Sequence, residues 1–360
     1  MENIPILKWA DLQADLQEEN WNALLLGNGA SIAIDDRFRY PSLYEKAYPK
    51  EEKSTERKLF EKLGTSDFER VLLACRHAEL VNDILEKGTY EVDEISNKIK
   101  YALIHAVHEV HPEHNNVSDK LLSAARFASQ FKTVINLNYD LTFYWGFLLF
   151  NNSDKAHENH FKDGFGKKNP NPQLLFNENW EWLRRPPGPS DKTTRVFYPH
   201  GNLCLARGLS GNEFKITATP PTETLLDVIT RKWSEPDCFP LYVSEGTSPQ
   251  KRAAIRRSDY LSNVYENVLT KLDATDDGNL LVYGWSFGAG DDHILEALRK
   301  NKFRTIVISV YSGVEPSEQQ AFCLEVSAKI RRVFDDVIKL VFFDSQSPGC
   351  WIHPTSSPSD

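Results

Sequence analysis

The chain has 360 residues, 41% hydrophobic and 26% charged, with a formal net charge of −9. This is globular composition, enough for one large domain or two small ones, and its acidic balance argues against broad binding to nucleic acid or a membrane surface. Five scattered cysteines (Cys75, Cys204, Cys238, Cys323 and Cys350) form no CxxC pair, so their spacing suggests neither a zinc ribbon nor a disulfide framework and fits a reducing cytoplasm.

The first twenty residues turn acidic without a long apolar core, so no signal peptide is expected. No run approaches the ~18–20 apolar residues of a membrane span. The expected location is the cytoplasm. In chain order, residues 8–20 read as an amphipathic helix capped by Asp11. Residues 22–27 read as a buried parallel strand, because the apolar run does not alternate. From about 43 to 130 the chain is mostly helical, with helices at 66–85 (capped by Ser66 or Asp67), 90–111 and 117–131. Residues 132–141 form a second buried strand. Residues 151–195 are polar, aromatic and proline-rich, and read as a cap insertion.

Residues 194–207 read as a third strand broken at Pro199. Further strands follow at 239–246, 278–288, 304–313 and 336–344. Helices lie at 250–269, 291–300 and 317–334, and the tail after Ser345 is expected to be loose. The expected fold is α/β, a Rossmann-like, mostly parallel sheet with helices on both faces. It forms a single domain over 1–345, with insertions at about 43–130 and 151–195 and a tail at 346–360. Ligands of such sheets bind beyond the carboxyl ends of the strands, so the polar residues ending the strands should converge.

Four motifs end strands. Gly27-Asn28-Gly29-Ala30-Ser31 lets the backbone approach a ligand closely and would favour a phosphate at a following helix, but it lacks the third glycine of GxGxxG. A tight strand-to-helix turn explains it equally well. Asn136-Leu137-Asn138-Tyr139-Asp140 offers an amide and a carboxylate to ribose hydroxyls or water, or is an Asx turn before a helix. His200-Gly201 places an imidazole on a glycine turn, as a general base or as a buried hydrogen-bonding group. Gly284-Trp285-Ser286, followed by Asp291, is a phosphate or ribose contact, or a turn with a helix cap.

The order of these motifs resembles the Sir2 (sirtuin) superfamily of NAD-consuming proteins, closest to the bacterial Sir2-like branch that includes DUF4917. The matching pieces are "LLLGNGASIAIDDRFRY", "INLNYDL", "YPHGNL", "LYVSEG" and "LLVYGWSFGAGDDHI". The resemblance implies that Gly27, Gly29, Ala30 and Ser31 lie along the NAD pyrophosphate and nicotinamide ribose. It implies that Phe38 and Arg39 shape the nicotinamide pocket, and that Gly284 and Ser286 lie on the adenosine side. Asn138, Asp140 and His200 become the catalytic candidates, with Asn138 holding water or ribose and His200 accepting a proton.

The two CxxC pairs of the sirtuin zinc module are absent, which favours NAD hydrolysis over deacylation, without a metal. Such proteins often resemble anti-phage NAD glycohydrolases, which implies NAD as substrate and control by homo-oligomerisation or a partner defence subunit. The alternatives are a non-catalytic NAD or ADP-ribose sensor, a deacylase or ADP-ribosyltransferase, and a nuclease. Arg184, Arg185, Arg252, Arg256 and Arg257 would hold a phosphate-bearing ligand or be solvated charges. Glu245 would line the pocket, and Trp180, Trp182 and Trp285 would close over a base or belong to the core.

Overall fold

A computed structural model describes residues 3–16, 21–39, 42–51, 53–153, 160–168, 171–178, 193–218, 224–243, 246–272, 278–334, 338–353 and 355. Its centre is an eight-stranded sheet in which every pairing is parallel. The sheet contains β1 (Ile6–Leu7), β2 (Trp21–Leu26), β3 (Thr133–Asn136), β4 (His160–Lys162), β7 (Thr193–Phe197), β11 (Gly278–Tyr283), β12 (Phe303–Val310) and β13 (Lys339–Asp344). The order across it is β1-β13-β12-β11-β2-β3-β7-β4. Ala23 to Leu26 and Leu280 to Val282 are buried, as strands covered on both faces must be, which is why their sequence does not alternate. The fold is α/β and Rossmann-like, with helices flanking the sheet.

The helices are α1 (Trp9–Leu16), α2 (Asn28–Ile34), α8 (Thr142–Asn151), α12 (Asp292–Leu298) and α13 (Pro316–Val333), together with the expected helical insertion. That insertion comprises α3 (Leu43–Ala47), α4 (Thr55–Leu63), α5 (Phe68–Ile84), α6 (Tyr90–Val110) and α7 (His114–Ala128). Asp67 caps α5, accepting a hydrogen bond from Arg70 N. Asp11, by contrast, lies inside the first turn of α1 rather than before it.

The third strand is corrected. Residues 194–207 are two strands in two sheets, because the turn at Pro199 carries the chain out of the parallel sheet. The second sheet is antiparallel and is built from β5 (Phe165–Lys168), β6 (Asn171–Phe176), β8 (Gly201–Gly208), β9 (Glu213–Lys215) and β10 (Cys238–Tyr242). Its order is β10-β8-β9-β6-β5. The expected cap insertion therefore supplies strands to both sheets. Arg207 of β8 ties this sheet to the helical insertion, pairing with Glu69 of α5 at 2.5 Å and Glu213 of β9 at 2.7 Å. Helix α9 (Leu225–Trp233) precedes β10, and α10 (Ser248–Ile255) and α11 (Asp259–Asn263) lie between β10 and β11. The expected single helix at 250–269 is thus broken, its last turn passing into a π segment at Val264–Val268.

The tail is corrected too. Ser347, Cys350 and Trp351 are buried, and the Trp351 ring packs against Phe127, Phe143 and Tyr283. Its Nε1 donates to Ala30 O at 3.0 Å, so the segment to His353 is fastened to the first turn of α2. A proline- and serine-rich composition concealed one anchoring aromatic. Trp351→Ala should cost about 3–5 kcal/mol of unfolding free energy, read as a lower denaturant midpoint at unchanged slope.

Candidate functional site

The strand order reverses at β2. The chain moves from β2 to β3 on one side and later returns through β11 on the other. Such a switch opens a crevice at the carboxyl ends of the strands, and both glycine loops stand there. Gly27 N donates to Tyr283 O at 2.9 Å and Gly29 N to Gly284 O at 2.7 Å. A Cβ on Gly27 would sit 2.5 Å from Trp285 Cα, one on Gly29 2.8 Å from Gly284 Cα, and one on Gly284 2.4 Å from Ala30 N. Gly284 also has φ +68°. The glycines are thus required by two backbones crossing in contact. Ala30 N is bonded to Gly27 O at 2.9 Å, so the amides of Gly27, Gly29 and Ala30 are all used within the protein. The loop is a floor more than a cradle of free donors.

Above that floor lies a cavity of about 780 Å³, within the range of small-molecule sites. Its lining comes from the ends of five adjacent strands, β3, β2, β11, β12 and β13, a span of about 19 Å at 4.8 Å per strand. Of the residues expected from sequence, Gly27, Gly29, Arg39, Asn138, Asp140, His200, Gly284 and Ser286 line it. Ala30, Ser31 and Phe38 do not. Phe38 is turned into the core by the 3₁₀ turn Asp36–Phe38, its ring edge-on to His111 at 5.3 Å. Arg39 stays at the rim, paired with Asp36 at 2.9 Å.

Ser31 acts from behind the wall. Its Oγ donates to Asp140 Oδ2 at 2.6 Å and accepts from Asn138 Nδ2 at 3.0 Å. The same amide nitrogen donates to Gly27 O at 2.9 Å. Both amide hydrogens of Asn138 are therefore committed inward, leaving its carbonyl oxygen with no partner among the described residues. Asp140 also accepts from Thr142 N at 2.8 Å and from Thr142 Oγ1. It makes the Asx turn that starts α8 and braces Ser31 at the same time.

His200 stands on the turn Tyr198-Pro199-His200-Gly201, closed by Gly201 N to Tyr198 O at 2.9 Å. Gly201 has φ +74°, and a Cβ there would meet Leu241 O at 2.2 Å. The ring is buried, with its Nε2 2.9 Å from Nε2 of His293, a fully buried residue of α12. Nδ1 of His293 lies 3.3 Å from Ser248 Oγ. Asp291 places Oδ1 3.9 Å from His200 Nε2 and 2.8 Å from Lys251 Nζ, while its Oδ2 accepts from Trp285 Nε1 at 3.3 Å. Its carboxyl is thus an acceptor for two side chains rather than the cap of α12. Burial, reinforced by the Lys251 charge, pushes the pKa of His200 down to about 3 and that of His293 to about 4. Burial alone would raise the carboxyl of Asp291, but its interaction with His200 and the ion pair and hydrogen bond with Lys251 outweigh burial and hold it below the usual range.

His293, Lys251 and Ser248 carried no usable sequence signal. His293 lies 93 residues from His200, and only the meeting of the sheet corner with α12 brings the rings together. Trp285 lines the cavity, stacked on Phe287 at 4.2 Å. Arg252 and Arg257 are engaged with Glu296 and Asp67. Arg184, Arg185, Trp180, Trp182 and Glu245 lie outside the described residues.

Gly284→Ala should cost at least about 2 kcal/mol in a denaturant titration, since it adds both strain and a backbone clash. Ser286→Ala, on the exposed side of the same loop, should stay within about 0.5 kcal/mol of the parent.

Among the described residues, no helix is long and apolar enough to cross a membrane. No curated protein matches the chain. A family model described as a domain of unknown function (DUF4917) matches residues 24–351, from inside β2 to Trp351, taking in both glycine loops, Asn138 to Asp140, His200 and α12. The chain belongs to the DUF4917 family.

Proposed function

We propose that the cavity binds NAD or a closely related nucleotide and that the chain hydrolyses its N-glycosidic bond, giving nicotinamide and ADP-ribose. The Sir2-like order of the strand-end motifs supports the choice of ligand. The observation that carries the chemistry is Asn138, a wall residue whose amide hydrogens are fixed by Gly27 and Ser31 while its carbonyl oxygen is left available.

In this reaction water attacks the anomeric carbon as the carbon–nitrogen bond breaks. The bonding pair passes to the pyridinium nitrogen, which leaves as neutral nicotinamide, and the water proton departs to solvent. A fixed carbonyl acceptor aligns the attacking water or a ribose hydroxyl at no reorganisation cost. Asp140 braces Ser31 and, through it, Asn138. His200 is a neutral wall group with its Nε2 turned to His293, a position that suits it less to taking the proton than the sequence suggested. An NAD-depleting enzyme of this kind would serve bacterial anti-phage defence in the cytoplasm, held in check by self-association or a partner subunit.

A second reading, a sensor that binds the nucleotide without cleaving it, is favoured by one feature. The carboxylate of Asp140 and the imidazole of His200 are both directed at protein partners.

Chromatography of the purified protein incubated with NAD should show nicotinamide and ADP-ribose in equal amounts. Asn138→Ala should slow their formation by at least about a hundredfold while calorimetric NAD affinity changes less than tenfold. Saturable binding without product would replace hydrolysis by the sensor reading. Absence of binding would remove the dinucleotide from the cavity altogether.

A further inference from the structure

We propose that His200, His293 and Asp291 form a binding site for a first-row transition-metal dication of the zinc and cobalt class, on the cavity wall and in competition with the ammonium of Lys251. The three side chains come from the β7–β8 turn and the start of α12, and their ligating atoms all lie within 4.8 Å of one another. The two Nε2 atoms face each other at 2.9 Å. Two nitrogens each about 2.1 Å from one ion lie about 3 Å apart when they subtend a right angle.

The far side of the His293 ring supplies a second observation. His293 Nδ1 lies 3.3 Å from Ser248 Oγ on the side of the ring away from His200. An imidazole whose Nδ1–H is given to such a neighbour presents a lone pair at Nε2, which is the arrangement that orients metal-binding histidines. In the absence of an ion one Nε2–H donates to the other Nε2 across the 2.9 Å contact, and a metal ion placed between them would replace that proton and take both lone pairs. A dication brings its own compensation from the Asp291 carboxylate.

Two imidazoles and one carboxylate suit zinc, cobalt, nickel or ferrous iron over magnesium or calcium, which prefer oxygen ligands. His200 and Asp291 line the cavity, so further coordination positions open into it, as in sites that keep one for water or a ligand. In this structure Lys251 supplies the charge opposite Asp291, at 2.8 Å, and the ion must take its place. The donor set is unrelated to the cysteine pairs whose absence argued against a metal in the sequence.

The test is titration of the chelator-treated full chain with Co²⁺, followed by its visible absorption, and with Zn²⁺ by calorimetry. One equivalent of Co²⁺ should give a visible band that Zn²⁺ abolishes and Mg²⁺ leaves unchanged. Lys251→Met should tighten binding at least about tenfold by removing the competing charge. Asp291→Asn, close in shape and partly exposed, should weaken it at least about tenfold, and His293→Gln should abolish the band, with far-UV circular dichroism confirming the fold of each variant. No band and no heat in both the parent and Lys251→Met would overturn the proposal. So would affinity unchanged in both folded Asp291→Asn and folded His293→Gln, which would put the ion elsewhere. Neither readout uses NAD, so a failure of nucleotide binding on the same samples leaves the metal site standing or falling by its own titration.

Discussion

The site depends on a crossing of two backbones that only glycine permits. The loops after β2 and β11 pass so closely that a Cβ on Gly27, Gly29 or Gly284 would lie within 3 Å of backbone atoms. The contact fastens the two central strands together at the point where the sheet order reverses. It sets the cavity floor, and it consumes the amides of Gly27 and Gly29. Trp351 closes the arrangement from beneath through Ala30, so a residue near the end of the chain supports a turn near its beginning.

On this floor the polar strand ends form a connected network. Ser31, Asn138 and Asp140 would be costly if buried singly, and together they satisfy one another. Asn202 extends the network, donating to Asp140 O at 2.7 Å. Its order of action runs inward to outward: Thr142 and Ser31 fix Asp140, Ser31 and Gly27 fix Asn138, and Asn138 lines the cavity. Such connection limits conformational choice at the wall, which is what a site needs to hold a small ligand in one pose.

The second sheet contributes through a corner. At Tyr198 to Gly201 the chain leaves the parallel sheet, and the positive φ of Gly201 lets it pass against Leu241. That bend delivers His200 to α12, where His293, Asp291 and Lys251 surround it. The result is a compact set of two neutral imidazoles and one ion pair, in which the charge opposite the carboxylate comes from a lysine on α10. The wall therefore combines a fixed hydrogen-bonding half around Asn138 with a donor-rich half around His200.

The sequence by itself determined the layer structure. The apolar runs within 22–27, 278–288 and 304–313 do not alternate, which marks strands buried on both faces, and the helical periodicity between 66 and 131 marks packed helices. It also placed Gly27, Asn138, His200 and Gly284 at strand ends, because apolar runs that stop at polar or glycine residues mark where strands leave the core. Tertiary structure alone decided how those residues face. Phe38 turned inward because a 3₁₀ turn aims it at His111, and Ser31 went behind the wall because Asp140 holds it there. The split of 194–207 between two sheets, the burial of Trp351 and the meeting of His200 with His293 rest on contacts between residues far apart in the chain. Local periodicity carries no record of such contacts, since it reports which face of an element is apolar and not what that face will meet.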